Sequence, residues 1–234
     1  MRSGCPSPRD VIPQWTNRHN QEVESDQPVR TVVFDVGGVL LDWDPRHLYR
    51  TLIPDEDELE WFLAEVCTME WNLELDAGRS FDEACDELAA RHPDHAALVH
   101  AWKRQEEMIV GEVDGVRDIV ERLHATGMPL YLLTNMPKGV FRARVERYDV
   151  LGLFDGAVVS GEEGVLKPSS AIFDRLVDRF GLDRPTTLFI DDAPANVAGA
   201  EAAGLRAHRF VDAETLERAL DVLGVLPARQ DKRR

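Results

Sequence analysis

No stretch of this chain reaches the length of a membrane span, and no apolar segment follows the early arginine. Neither a transmembrane helix nor a secretory leader is therefore expected. Cysteine is scarce: Cys5, Cys67 and Cys85 are well separated and form no CxxC pair. An odd, sparse set argues against a disulfide framework and suits a reducing compartment, so a cytoplasmic location is expected. Positive charge is in deficit, with 27 Lys and Arg against 43 Asp and Glu, a net charge of −16. A nucleic-acid partner needs a basic face, and none is expected here. The acidity describes a self-repelling, solvated surface and leaves an anionic substrate open, because local charge decides that. His47, His92, His95, His100 and His124 lack metal-ligand spacing and read as surface or packing residues. There is no internal repeat, and nothing in the sequence sets an oligomeric state.

What is present suffices for one large domain, or for a core with an insertion: 234 residues, 44% of them apolar. Residues 1–28 are rich in Pro, Ser, Asn, Gln and charge, lack periodicity, and are expected to be a disordered extension. Residues 227–234 are expected to form a charged tail. Between them, Thr31-Val32-Val33-Phe34 reads as a buried strand, ending on Asp35 with Gly37-Gly38 just behind. Further buried strands are expected at 129–133, 157–159, 187–190 and 206–210, with amphipathic helices between them. Such alternation predicts a doubly wound, Rossmann-like α/β fold with a parallel sheet.

From about 45 to 110 the pattern is helical, with no convincing strand. Asp44-Pro45 looks like a helix start, and Asp55, Glu56 and Asp57 sit where a second helix has its positive end. Ser80-Phe81-Asp82-Glu83 has the form of a capping box, and Pro93-Asp94 opens a helix expected to run to about Met108. Glu70, Trp71, Asn72 and Asp76-Ala77-Gly78-Arg79 are expected between helices. This block is expected to be an inserted subdomain, dividing the core into 29–44 and 111–226.

Four polar clusters follow four buried strands: Asp35, Thr134-Asn135, Lys167 and Asp191-Asp192. In a parallel sheet those strand ends share one edge, so the clusters can converge. Asp35, Asp191 and Asp192 offer hard oxygen ligands suited to Mg2+, and Lys167 adds a fixed positive charge. The Thr134 hydroxyl and the amides of Asn135, Gly37 and Gly38 can donate to a phosphoryl group. Taken singly these residues have plainer readings. Asp191-Asp192 equally suits a helix cap, Lys167 a solvated loop, Gly37-Gly38 a turn, and Thr134 an end-of-strand hydroxyl. Asp42 and Asp44 read as helix-cap or hinge residues.

Together, FDVGGVL, LLTN, GVLKPSSAIF and FIDD resemble the four motifs of the haloacid dehalogenase-like superfamily, in its branch with a helical cap. The resemblance implies that Asp35 is the nucleophile and that Thr134 and Lys167 hold the phosphate. It implies a Mg2+ site from Asp35, Asp191, Asp192 and the Gly37 carbonyl, with Asp192 the firmer of the acidic pair and Asn196 behind it. It also makes residues 45–110 a cap that sets specificity, with Asp76 and Arg79 as candidate substrate contacts. The implied activity is a Mg2+-dependent phosphatase acting on a small phosphorylated metabolite.

One departure stands out. Gly37 occupies the place where most phosphatases of the superfamily carry a second Asp, the general acid and base. General acid catalysis is worth roughly 10²–10⁴-fold. A sugar 1-phosphate leaves more easily than an ordinary alcohol, and the motif is similar in form to bacterial glucose-1-phosphate phosphatases. The alternatives are a metal-independent 2-haloacid dehalogenase and a phosphate-binding protein that has lost turnover.

Overall fold

The computed structural model describes residues 27–226. The charged tail at 227–234, and nearly all of the expected N-terminal extension, lie outside the described residues. Among these residues there are seven strands: β1 (Thr31–Phe34), β2 (Leu41–Trp43), β3 (Ile109–Glu112), β4 (Leu130–Thr134), β5 (Gly156–Val159), β6 (Thr187–Asp191) and β7 (Arg206–Arg209). Five of them form one parallel sheet in the order β5-β4-β1-β6-β7. β1 lies at the centre because its four residues are apolar or β-branched on both faces and all are buried.

The helices are α1 (Pro45–Tyr49), α2 (Glu56–Glu65), α3 (Met69–Asp76), α4 (Phe81–Arg91), α5 (Ala96–Ala101), α6 (Val116–Ala125), α7 (Phe141–Arg147), α8 (Ser160–Glu163), α9 (Ser170–Phe180), α10 (Pro194–Ala202) and α11 (Ala213–Val222). Side chains alternate across a strand, so Val32 and Phe34 face one apolar layer and Val33 the other. The first layer holds Ile119 and Leu123 of α6 with Leu216 and Leu220 of α11. The second holds Ile172, Phe173 and Leu176 of α9 with Ala200 of α10. The sheet is therefore covered on both faces, as the strand–helix alternation predicts.

Between β2 and β3 the chain folds α1–α5 around a separate apolar cluster that includes Tyr49, Phe62, Leu75 and Trp102. Asp44 caps α1, its Oδ1 accepting from the Arg46 amide at 2.8 Å, and Asp55 caps α2 in the same way at 2.9 Å. Four local expectations are corrected. Ser80 precedes α4 but makes no side-chain cap bond. The helix expected from Pro93 to Met108 is broken into a 3-10 turn, α5 and a second 3-10 turn. There the Gln105 side chain donates to the Trp102 carbonyl at 2.9 Å and helps end α5. The run around Trp71 and Asn72 is helical, as α3, and α8 replaces part of an expected loop.

A strand also closes the block. β3 pairs antiparallel with β2, setting Ile109 against Trp43, so entry and exit of the helical block are tied side by side. A second tie reaches the core, where Ser160 Oγ donates to the Asp76 carbonyl at 2.6 Å. Beside it, Gly78 has φ +100°, and a Cβ there would stand 2.9 Å from the Gly161 carbonyl oxygen. No helix among the described residues is long and apolar enough to cross a membrane.

Candidate active site

The carboxyl ends of β1, β4 and β6 open onto one cavity of about 460 Å3. Asp35, Gly37 and Gly38 line it from the end of β1, and Thr134 and Asn135 from the end of β4. Lys167, Asp192 and Asn196 complete that side. The four polar clusters therefore meet.

Lys167 organises the floor. Its Nζ stands 2.9 Å from Asp35 Oδ1 and 2.7 Å from Asp191 Oδ2, and donates to the Leu133 carbonyl at 3.0 Å. Those three contacts match the three hydrogens of an ammonium. The Asn135 side chain fixes the lysine's backbone: Nδ2 donates to the Lys167 carbonyl at 3.1 Å, and Oδ1 accepts from the Lys167 amide at 2.9 Å. Asn135 was expected to offer its amide to a ligand; its side chain has this positioning task as well. Asp35 Oδ1 also accepts from the Val36 amide at 2.7 Å, while Oδ2 finds no hydrogen-bond partner among the described residues. Among the described residues the Thr134 hydroxyl makes one long contact, 3.5 Å to the Asn135 carbonyl, and is left available to a ligand.

Asp35, Asp191 and Asp192 place one carboxylate oxygen each within 4.8 Å of one another. Three carboxylates surround one ammonium, so the site carries an excess of negative charge. Burial pushes the Asp35 carboxyl up to about 7; Lys167 opposes the shift and Asp191 reinforces it. Burial also works against the Lys167 charge, but Asp35 and Asp191 outweigh it and hold its pKa above the usual lysine value. The Asp192 residue as a whole is exposed, but its carboxyl is partly buried in the cavity wall, and that burial and Asp191 raise its pKa. The donor set fits a hard divalent cation, which would offset the excess charge.

The two adjacent acids differ in what they can do. Asp191 is fully buried, and both of its oxygens are engaged: Oδ2 by Lys167, Oδ1 by the Ala193 amide at 2.9 Å, and both by the Asn196 amide group. Asp192 is exposed and lines the cavity. It can meet a cation directly, while Asp191 is built to hold Lys167. Gly38 has φ +73°, and a Cβ there would lie 2.7 Å from Asp192 Oδ2, so the chain passes close beside that carboxylate.

The helical block supplies the opposite wall, including Asn72, Asp76 and Gln105. Asp76 was a candidate from sequence and lines the cavity, 6% exposed. Its Oδ2 accepts from Asn72 Nδ2 at 3.0 Å, and Asn72 Oδ1 accepts from Trp102 Nε1 at 3.1 Å. Burial pushes the Asp76 carboxyl up to about 7 against the pull of Arg144 and Lys167. Arg79, the other candidate, does not line the cavity: Glu74 and Glu87 hold its guanidinium at the surface. Sequence reading missed Arg144 on α7, along with Asn72 and Gln105. Only the i, i+4 spacing of Asn72 and Asp76 on one side of α3 marked any of them.

A family model for haloacid dehalogenase-like hydrolases matches residues 29–204, most of the chain. A sesquiterpene phosphatase of Aspergillus oryzae is 24% identical over 184 residues, covering 78% of this chain and 90% of that protein. A phosphoglycolate phosphatase of Aliivibrio fischeri is 32% identical over 95 residues, 41% of each chain. Among solved structures, a family enzyme of Bacteroides thetaiotaomicron in complex with magnesium and inorganic phosphate superposes with a TM-score of 0.60. It is 18% identical and covers 79% of this chain and 95% of that one. With the parallel sheet, the four strand-end clusters and the family match in agreement, the chain belongs to the haloacid dehalogenase-like hydrolases.

Proposed function

We propose that the protein is a Mg2+-dependent phosphatase that hydrolyses a small phosphorylated metabolite through an aspartyl-phosphate on Asp35. The observation that carries this reading is the pairing of a buried nucleophile-ready carboxylate with a compensating charge cluster. Lys167 holds Asp35 by one oxygen, and the other has no partner among the described residues. The magnesium and phosphate bound by the Bacteroides enzyme, and the phosphatase activity in the names of both relatives, support it. The substrates named for those relatives differ in chemistry, so neither is carried over.

Asp35 and Asp192, with the Gly37 carbonyl, would hold the cation, and Asp191 would keep Lys167 and Asn196 in place. Bound Mg2+ neutralises phosphoryl oxygens and offsets the repulsion between the substrate and Asp35. Lys167 and the Thr134 hydroxyl steady the phosphoryl group as charge moves across it. Asp35 Oδ2 attacks phosphorus, the ester P–O bond breaks, and the leaving oxygen takes a proton. Water then attacks phosphorus and releases Asp35 and inorganic phosphate. Gly37 places no acid beside the leaving oxygen, so that proton comes from solvent or from another side chain of the cavity.

Residues 45–110 act as the cap over a core of 29–44 and 111–226, and the enzyme works in the cytoplasm. The test is a panel of phosphate esters assayed with Mg2+ and with EDTA, with chloroacetate run in parallel. Phosphate release that EDTA abolishes is the expected result. Chloride release from chloroacetate in EDTA, with no phosphatase activity, would establish the dehalogenase alternative instead.

A further inference from the structure

Arg144 is an anomaly in the cavity. It projects from α7 in the core, yet it is only 4% exposed and lines the same cavity as Asp35. A buried guanidinium ordinarily has its donors satisfied, because an unpaired one keeps the full cost of losing water. Here Nε makes one long contact, 3.5 Å to Glu106 Oε1, and Nη2 is buried with no hydrogen-bond partner among the described residues. Glu106 is shared, since its other oxygen lies 3.4 Å from Arg147 Nη1. One carboxylate therefore serves two guanidiniums. Among the described residues the other carboxyl group acting on Arg144 is that of Asp76, whose burial favours its neutral form. Positive charge at this end of the cavity is under-compensated, while the Asp35 end is over-supplied with negative charge.

We propose that Arg144 is a specificity residue that binds a carboxylate on the leaving group, so that the preferred substrates are phosphorylated hydroxy acids. This rests on the phosphatase reading of the site. The phosphoryl group goes to Asp35 and Lys167, and the far end of the same molecule reaches Arg144. Guanidinium binds planar oxyanions through paired N–H donors, which a carboxylate matches. A second phosphate carries more charge than the arginine can balance and would face the Glu106 carboxylate. A neutral sugar, the substrate class suggested by the form of the first motif, could accept from Nη2 through a hydroxyl but would leave the guanidinium charge unbalanced. Gln105 and Asn72 line the same wall and add polar contacts without charge.

The test compares matched substrates that differ only at the far end: 3-phosphoglycerate against glycerol 3-phosphate, and 2-phosphoglycolate against ethyl phosphate. A hydrogen bond to a charged group corresponds to a preference of at least about tenfold in kcat/KM. The wild-type enzyme is expected to favour the carboxylate member of at least one pair by that factor. Arg144→Gln is expected to bring the ratio to about one, and Arg144→Lys to restore part of it. A general loss of packing would lower both members together and leave the ratio alone. Equal wild-type rates within each pair would overturn the proposal while leaving the phosphatase reading intact. So would a ratio that survives Arg144→Gln, or a preference for glucose 1-phosphate over every carboxylate. Failure to hydrolyse any ester with Mg2+ would overturn the phosphatase reading itself. If Arg144→Gln does not fold, the wild-type ratios still decide.

Discussion

Lys167 Nζ stands 2.7 Å from Asp191 Oδ2, with both side chains fully buried. The pair is not isolated, because the same ammonium holds Asp35 at 2.9 Å. Two carboxylates depend on one cation, and a third, Asp192, lies close by. Removing the cation should therefore affect folding and chemistry together. Lys167→Met is expected to destabilise the protein by about 3–5 kcal/mol, the usual cost of stranding a buried charge. Its kcat should fall by roughly 10²–10³-fold, as when one stabilising donor is lost from a transition state. Denaturant midpoints and phosphate-release assays measure the two effects.

Asp76 provides a pH-dependent prediction. Its carboxyl is raised from 3.8 to about 7, chiefly by burial. Between those values the unfolded chain is ionised while the folded one keeps its proton, so this group's stabilising contribution is lost as pH rises. That contribution is complete below pH 3.8 and gone above pH 7. Asp76→Asn removes the titration and can keep the Asn72 contact. The variant should gain stability relative to wild type from about pH 4 to 7 and hold a constant difference above that. Thermal midpoints across this range test it; a difference that does not change with pH contradicts it.

Gly38→Ala tests the cation site by crowding. The position has φ +73°, and the new methyl would sit 2.7 Å from Asp192 Oδ2. The carboxylate must move, and Mg2+ affinity is expected to fall by about 10–100-fold, as when a supporting group of a metal site is disturbed. A Mg2+ titration of activity, with calorimetry on the same protein, measures the shift.

Ser160 tests the tie between the helical block and the core. Its hydroxyl donates to the Asp76 carbonyl at 2.6 Å and accepts from the Met136 amide at 2.9 Å, with Ser160 fully buried. Ser160→Ala strands both groups and is expected to cost about 1–3 kcal/mol. It should also raise KM more than it lowers kcat, because it loosens the wall carrying Asp76 rather than the floor carrying Asp35. Steady-state kinetics beside unfolding curves separate the two effects.

Most of the floor of the site was legible in the sequence because Asp35, Thr134 and Asp191 stand at the ends of buried strands, while Lys167, beyond α8, was marked only by its place before Pro168 in its motif. Thr31–Phe34, Leu130–Thr134 and Thr187–Asp191 are apolar or β-branched runs, and polarity returns abruptly where each meets the crevice. The wall was not legible, for identifiable reasons. Arg144 lies in a helix that also carries Arg142 and Arg147, and spacing does not distinguish the buried guanidinium from its exposed neighbours. In α3 the buried side includes polar Asn72 and Asp76, which hides the apolar period expected of a helix. Arg79 looked like a ligand contact beside Asp76, but acids at 74 and 87 draw it to the surface. β3 escaped notice because Gly111 interrupts a run of only four residues, and its pairing with β2 spans the whole helical block.

The central claim is that Asp35 is the group that takes up phosphate. The direct measurement is a single turnover with Mg2+ and a hydrolysed ester, quenched in acid and followed by peptide mass mapping. One phosphoryl group on the peptide containing Asp35, absent in Asp35→Asn and absent when EDTA is added first, is the predicted result. Full hydrolysis by verified Asp35→Asn protein, or a phosphoryl group trapped on another residue, would contradict it.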